Sequence, residues 1–208
     1  VSVLSEIFKR SKRARQHWEG FSVFEGMIGK WVLIGCVFLF GMLIMGLFFG
    51  PLLGGNVLAL MGAGLAVALG GIGSIVAVGA TGEKAAGMTA ENPENFGRLL
   101  PLQALPGTQG IYGFLVGFLA LVKIGAFAGG MELSIAQGWQ VFFACVPVSV
   151  TCLISALYQG KVCLSGMDIV AKKPEESGKS LILPAMVETY AVLGLLASVL
   201  MIMFAVKI

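Results

Sequence analysis

Residues 31–82 contain no charged side chain, and neither do 99–122 or 133–160; residues 180–206 contain one, Glu188. A helix needs ~20 apolar residues to cross the ~30 Å hydrocarbon core of a bilayer, and each of these runs is long enough. With 57% hydrophobic and 12% charged residues, the chain lacks the polar side chains from which a soluble surface is built. The sequence therefore predicts an all-α membrane protein. The run 31–82 is too long for one span. Gly50-Pro51 and Gly54-Gly55 interrupt it, and Gly and Pro punctuate helices. The reading is one span over 27–50 and another beginning near Asn56, five spans in all. The first is expected to stay in the mature chain, because its apolar stretch is too long for a signal sequence and no small-residue cleavage site follows.

Self-similarity fixes the organisation. At an offset of 81 residues Ser74 pairs with Ser155, Gly79 with Gly160, Pro93-Glu94 with Pro174-Glu175, and Gly97-Arg98 with Gly178-Lys179. Leu100 then pairs with Leu181, Thr108 with Thr189, and Gly113 with Gly194. Apolar helices match by chance at scattered Leu and Val; a polar loop in register with its flanks is a duplication. Each repeat reads as a helix, a short charged loop and a returning helix. The expected layout is an extra transmembrane helix over 27–50, a first helical hairpin over 56–128 and a second over 131–208. The stretch from Asn56 to Glu91 would run roughly 54 Å at the ~1.5 Å helical rise, so the helix ends near the loops are expected to project beyond the bilayer. Glycines 62, 64, 70, 71, 73, 79 and 82 mark the first helix of the first hairpin for close backbone packing.

Lys9, Arg10, Lys12, Arg13 and Arg15 precede the first span. A basic segment beside a span tends to stay in the cytoplasm, so residues 1–26 are read as a basic amphipathic cytoplasmic segment with Phe8, Trp18, Phe21 and Phe24 toward lipid. Its position argues against nucleic-acid binding. The loops 91–98 and 171–179 carry Arg98, Lys172, Lys173 and Lys179, which places both in the cytoplasm by the same tendency. Counting spans from a cytoplasmic N-terminus agrees. Cys36, Cys145, Cys152 and Cys163 have no metal-ligand spacing and read as packing residues; the sole histidine, His17, is assigned no chemistry. Gly178-Lys179-Ser180 lacks the earlier glycine and the strand of a phosphate loop, so no nucleotide site is expected, and no nucleophile–base pair is visible.

The informative residue is Glu188. A charge at the bilayer centre costs ~2.5–3.5 kcal/mol on insertion scales, and such residues serve ions or protons or pair structurally. Subtracting the repeat offset gives Gly107, beside Thr108 and Gln109, which puts those two at the depth of Glu188. Gln159 and Glu188 lie 16 residues before and 13 after Glu175, hence at similar depth on antiparallel helices. Pro106-Gly107 breaks the helix, freeing a carbonyl such as that of Leu105 to turn inward. The set is one carboxylate, two amide oxygens, a hydroxyl and a carbonyl: a hard-cation site of oxygens. One negative charge suits a monovalent ion. A proton needs only the carboxylate, so sodium is favoured.

The segments Leu105-Pro-Gly-Thr-Gln-Gly-Ile-Tyr-Gly-Phe114, Gln159-Gly-Lys-Val162 and Met186-Val-Glu-Thr-Tyr-Ala-Val-Leu-Gly194, with the two Pro-Glu loops and the duplicated hairpins, closely resemble the K-subunit family of bacterial sodium-pumping V-type ATPases. The resemblance covers roughly residues 56–208. It implies a membrane-rotor (proteolipid, c-type) subunit with no catalytic site of its own, assembled as a homo-oligomeric ring in a bacterial plasma membrane. It implies Glu188 as the essential carboxylate, Gln159 and Gln109 as amide-oxygen ligands of Na+, Thr108 as hydroxyl ligand, Leu105 as carbonyl ligand, and Tyr112 as the side chain that bonds the carboxylate and locks the site. It also implies a stator subunit with a cationic residue, and central-stalk subunits gripping loops 91–98 and 171–179. Family members typically have four spans, so span 27–50 is a departure. The short connector 51–55 sets it beside the next helix, which in the family lines the inner face of the ring, and a position in or against the lumen is expected. The rival readings are the same rotor carrying H+, a stand-alone cation transporter built from membrane repeats, and a purely structural packing proteolipid.

Overall fold

The computed structural model describes the backbone of residues 2–129 and 132–208, and side chains from Gly26 onward except Pro51 and Leu53. Among these residues all regular structure is helical. Five helices are long and apolar enough to span a membrane: α1 (Gly26–Gly50), α2 (Gly54–Glu91), α3 (Pro93–Lys123), α4 (Ile135–Lys172) and α5 (Pro174–Ala205). The helix leading into α1 begins at Ser2; the side chains that would form the expected amphipathic face of residues 1–26 before Gly26 lie outside the described residues.

The duplication governs the geometry. α2 and α4 each have 38 residues, and their termini are 81 positions apart, Gly54 from Ile135 and Glu91 from Lys172. Each is followed by one turn of 3-10 helix at the same place in the repeat, Pro93–Asn95 and Pro174–Glu176. Proline suits that first position, because the N–H it lacks would be unpaired there in any case. In the first loop the Asn92 side chain accepts from Glu94 N at 3.2 Å. At a ~1.5 Å rise, 38 residues span about 57 Å, so the loop ends of α2 and α4 stand clear of a ~30 Å hydrocarbon core. Near those ends Lys84 of α2 pairs with Asp168 of α4 at 2.9 Å and donates to the Leu164 carbonyl at 2.6 Å. The second hairpin starts with a capping box: Ser134 Oγ accepts from Gln137 N, and Gln137 Oε1 accepts from Ser134 N, pairing two otherwise orphaned donors.

α2 is sandwiched between α3 and α4, and glycine allows it. A Cβ on Gly62 would lie 2.6 Å from Phe142 Cα of α4, and one on Gly70 would lie 2.8 Å from the Gln109 carbonyl of α3. Both are closer than a side chain tolerates, so the helices meet backbone to backbone, as small residues permit in lipid. One core of small residues from all four hairpin helices results, including Ala63, Ala66, Val116, Ala120, Ala144, Cys145, Val148 and Ala191. Cys145, Cys152 and Cys163 are buried there and near it as free thiols.

Helical bonding continues through Gly50-Pro51, and the break falls at Gly54 alone, whose φ of 78° and ψ of 167° are non-helical. Glycine takes positive φ without steric cost, which is why the reversal sits there. Past it the chain folds back: Gly46 faces Leu58 and Gly35 faces Leu69, an antiparallel register. α1 lies in the groove between α2 and α4, where Trp31, Val32, Leu39 and Met42 join Leu65, Leu69, Phe142, Leu153 and Leu157. Leu157 and Gln159 are two residues, hence ~200°, apart around α4, so α1 and Gln159 occupy opposite faces of that helix.

Replacing Gly62 by Ala is expected to force α2 and α4 apart and lower stability by about 1–3 kcal/mol. Gly87→Ala, where nothing lies within 4 Å, is expected to be neutral or to gain up to ~1 kcal/mol in helix propensity. Thermal unfolding of the purified protein in detergent reads both.

Candidate ion-binding site

The polar side chains singled out by the sequence meet on one side of α2 and α4, between α3 and α5. α3 is α-helical over Phe96–Ala104, tightens to 3-10 over Leu105–Gly107 and resumes at Thr108. Pro106 causes this, since its ring and missing N–H break the regular ladder. The tightened turn brings the Leu105 carbonyl within 3.0 Å of Thr108 Oγ1. Glu188 projects from the middle of α5, and its Oε1 accepts from Thr108 Oγ1 and from Tyr112 OH, each at 2.7 Å. Its Oε2 faces Gln159 Nε2 at 3.3 Å. Gln109 and Gln159 are completely buried and bonded to each other, Gln109 Nε2 donating to Gln159 Oε1 at 2.6 Å.

Thr108 is the centre of the arrangement. Its Oγ1 has three oxygen neighbours: Glu188 Oε1 at 2.7 Å, the Leu105 carbonyl at 3.0 Å and Gln109 Oε1 at 3.4 Å. A hydroxyl carries one hydrogen, so it satisfies one of them at a time. Four oxygens, one formally anionic, thus crowd together with a single hydrogen between them. Such a cluster attracts a small hard cation. Sulfur and imidazole are not part of it, which fits the ligand preference of alkali and alkaline-earth ions over transition metals.

The structure brings Leu105, Thr108, Gln109, Tyr112, Gln159 and Glu188 into one network, and adds members the sequence reading did not name. Ser155, one turn before Gln159 on the same face of α4, lies 3.4 Å from Gln109 Nε2 and donates to the Val187 carbonyl at 3.1 Å. The Pro184 carbonyl accepts from Gln159 Nε2 at 3.1 Å. The i, i+4 spacing of Ser155 and Gln159 is a usable signal for the first; nothing in the sequence points to the second, which is a backbone group. The amide of Gln159 also has a direction that composition does not reveal. It presents nitrogen to Glu188 and turns its oxygen to Gln109.

Gly107, the counterpart of Glu188 in the first repeat, has only Val78 Cγ2 near the position of a Cβ, at 3.6 Å. The duplication therefore leaves one carboxylate per chain at this depth.

The family model for the C subunit of ATP synthase matches the chain twice, over residues 61–120 and 142–201. The two matches repeat the 81-residue offset and together cover more than half of the chain. The chain belongs to the ATP synthase C-subunit family. It is 46% identical over 125 residues to the V-type sodium ATPase subunit K of Enterococcus hirae, 60% of this chain and 77% of that protein. It is 36% identical over 127 residues to the A-type ATP synthase subunit K of Methanocaldococcus jannaschii, 61% of this chain and 53% of that longer protein. As a member of this family the chain is a membrane-embedded rotor proteolipid, an ion-translocating part of a rotary ATPase without a catalytic site of its own. The extra helix α1 lies outside both family matches.

Tyr112→Phe keeps the ring and removes one donor to a carboxylate, a bond of the kind that contributes about 1.5–3 kcal/mol. Modification of Glu188 by a hydrophobic carbodiimide is expected to accelerate several-fold in this variant. An unchanged rate would mean that the phenol does not restrain the carboxyl group.

Proposed function

We propose that this chain carries Na+ across a bacterial plasma membrane as one protomer of a homo-oligomeric rotor ring in a V-type ATPase. Glu188, Thr108, Gln109, Gln159 and the Leu105 carbonyl bind the ion, and Tyr112 holds the carboxylate in place. The observation that carries this reading is the oxygen cluster around Thr108 Oγ1, short of hydrogens and adjoining the one carboxylate in an apolar helix. The name of the Enterococcus hirae relative, a sodium ATPase subunit, supports the same ion.

The cycle follows from charge. A bare carboxylate is costly against lipid; with a monovalent cation bound it is neutral, and the ring can turn past the bilayer. At the stator a cationic side chain would compete for Glu188, releasing the ion into one half-channel before another loads from the second. Opening the site requires the Tyr112 and Thr108 bonds to Glu188 to loosen. Binding requires the Gln159 amide to rotate, so that it offers oxygen in place of nitrogen. Rotation exchanges two atoms of nearly equal size and gives up its bond to the Pro184 carbonyl. The loops 91–98 and 171–179, at the ends of α2 and α4 that outreach the bilayer, would face the cytoplasm and grip the central stalk. ATP chemistry belongs to other subunits, so direction as pump or synthase is set by them and by the ion gradient.

The same orientation of Gln159 favours the second reading, a rotor for H+. A carboxyl group closed by hydrogen bonds from Tyr112, Thr108 and Gln159 needs no metal ion to be satisfied.

Carbodiimide labelling of Glu188 separates the two, because the reagent attacks protonated carboxyls in apolar surroundings. Na+ and Li+ are expected to slow labelling of the purified ring while K+ does not, and Glu188→Gln is expected to abolish transport with the fold retained. Labelling indifferent to Na+ at every pH would assign the rotor to protons. A Glu188→Gln complex that still pumps would remove Glu188 from the site.

A further inference from the structure

We propose that α1 of every copy forms the innermost wall of the ring, and that lipid acyl chains fill the lumen against its exposed face. The inference rests on the ring reading above, and it concerns the helix that lies outside both family matches.

Placement comes from the two faces of α2 and α4. Side chains of α3 and α5, including Glu188, pack on one face; α1 occupies the other. An ion carrier that meets a stator must present its carboxylate at the outer rim of the ring. The face opposite Glu188 then points to the axis, and α1 lies on that face in the protomer itself.

Room for one such helix per copy follows from helix spacing. Each protomer puts two helices, α2 and α4, in the layer that α1 lines. At ~8–10 Å between packed helices, stepping inward by one layer shortens the circumference by about 60 Å, while placing one helix where there were two saves about 9 Å per copy. A ring of about seven or more copies therefore houses every α1. Beyond that number gaps open between neighbouring α1 helices.

The occupant follows from the two sides of α1. Its docking side holds the small residues: Gly35 meets Leu153, Gly46 meets Trp139 and Gly50 meets Leu58. Its other side carries large apolar groups, with Leu33 64%, Phe40 65%, Leu47 66% and Phe48 78% exposed. Membrane helices contact one another through small residues and leave bulky ones to lipid. No charged residue occurs between Lys30 and Glu83, so a water-filled lumen would wet a wholly apolar wall. Acyl chains fit this surface, and neither water nor a further helix does.

Cys36 supplies the probe: it is exposed on α1, whereas Cys145, Cys152 and Cys163 are buried. The full-length ring, its oligomeric mass confirmed by native mass spectrometry, is spin-labelled at Cys36 and reconstituted. Reference rings carry Cys36→Ser with Phe114→Cys, Leu193→Cys or Phe204→Cys, positions exposed on α3 and α5. Oxygen is expected to relax the Cys36 label several-fold more than a water-soluble nickel chelate. A paramagnetic lipid added after assembly is expected to reach the reference labels and not Cys36, whose surrounding lipid is enclosed. Relaxation by the nickel chelate would show a wet lumen and overturn the proposal. Access of added lipid to Cys36 equal to that of the references would put α1 on the outer rim, and no access even for oxygen would mean that protein covers it; either overturns the proposal as well. A monomeric mass, seen before any labelling, would refute the ring itself and this inference with it.

Discussion

A carboxylate in hydrocarbon must be satisfied by its neighbours, and the architecture of this protein follows from how Glu188 is. Water is absent at that depth, so every partner must come from the protein. Tyr112 and Thr108 reach Glu188 from α3 and Gln159 reaches it from α4, which requires three helices to hold their polar groups at one level to within a hydrogen bond. The two glutamines can be buried only because they bond each other, Ser155 and a backbone carbonyl. Removing one member would leave another unpaired in a medium where that costs several kcal/mol.

Close backbone packing makes the convergence possible. Gly62 and Gly70 let α2 approach α4 and α3 with no side chain between them, and the resulting rigid pair supports α3 and α5 at fixed heights. Duplication supplies the scaffold and divergence the chemistry. The same hairpin occurs twice, with its helix ends and 3-10 turns in register, yet only the second carries the carboxylate. The first contributes the broken turn at Leu105–Gly107 and the hydroxyl, amide and phenol that surround it. A single site thus draws on both halves, and the sulfur and imidazole chemistry of transition metals has no part in it.

Much of this was legible in the sequence because membranes impose strong rules. Uncharged runs marked the spans, the 81-residue offset marked the hairpins, and equal distances from the Pro-Glu loops placed Gln159 opposite Glu188. What escaped has physical reasons. The orientation of the Gln159 amide depends on the Pro184 carbonyl, a backbone group present at every residue and therefore invisible as a motif. The helix was expected to break at Gly50-Pro51 as well as at Gly54-Gly55, but a proline near a helix end costs little when the chain reverses a few residues later, and the positive φ needed for that reversal fell on Gly54. The docking face of α1 could not be read from hydrophobicity, since the helix is apolar all round and has no polar side to turn away. Only its spaced glycines, at 35, 46 and 50, distinguish the face that meets α2 and α4.

The most direct test of the central claim is equilibrium binding of radioactive sodium to the purified ring. Saturable binding of one sodium per chain, displaced by lithium and lost in Glu188→Gln, is the expected result. A ring that binds no sodium saturably, or that still binds it after Glu188→Gln, would contradict the assignment of Glu188 and its oxygen neighbours as a sodium site.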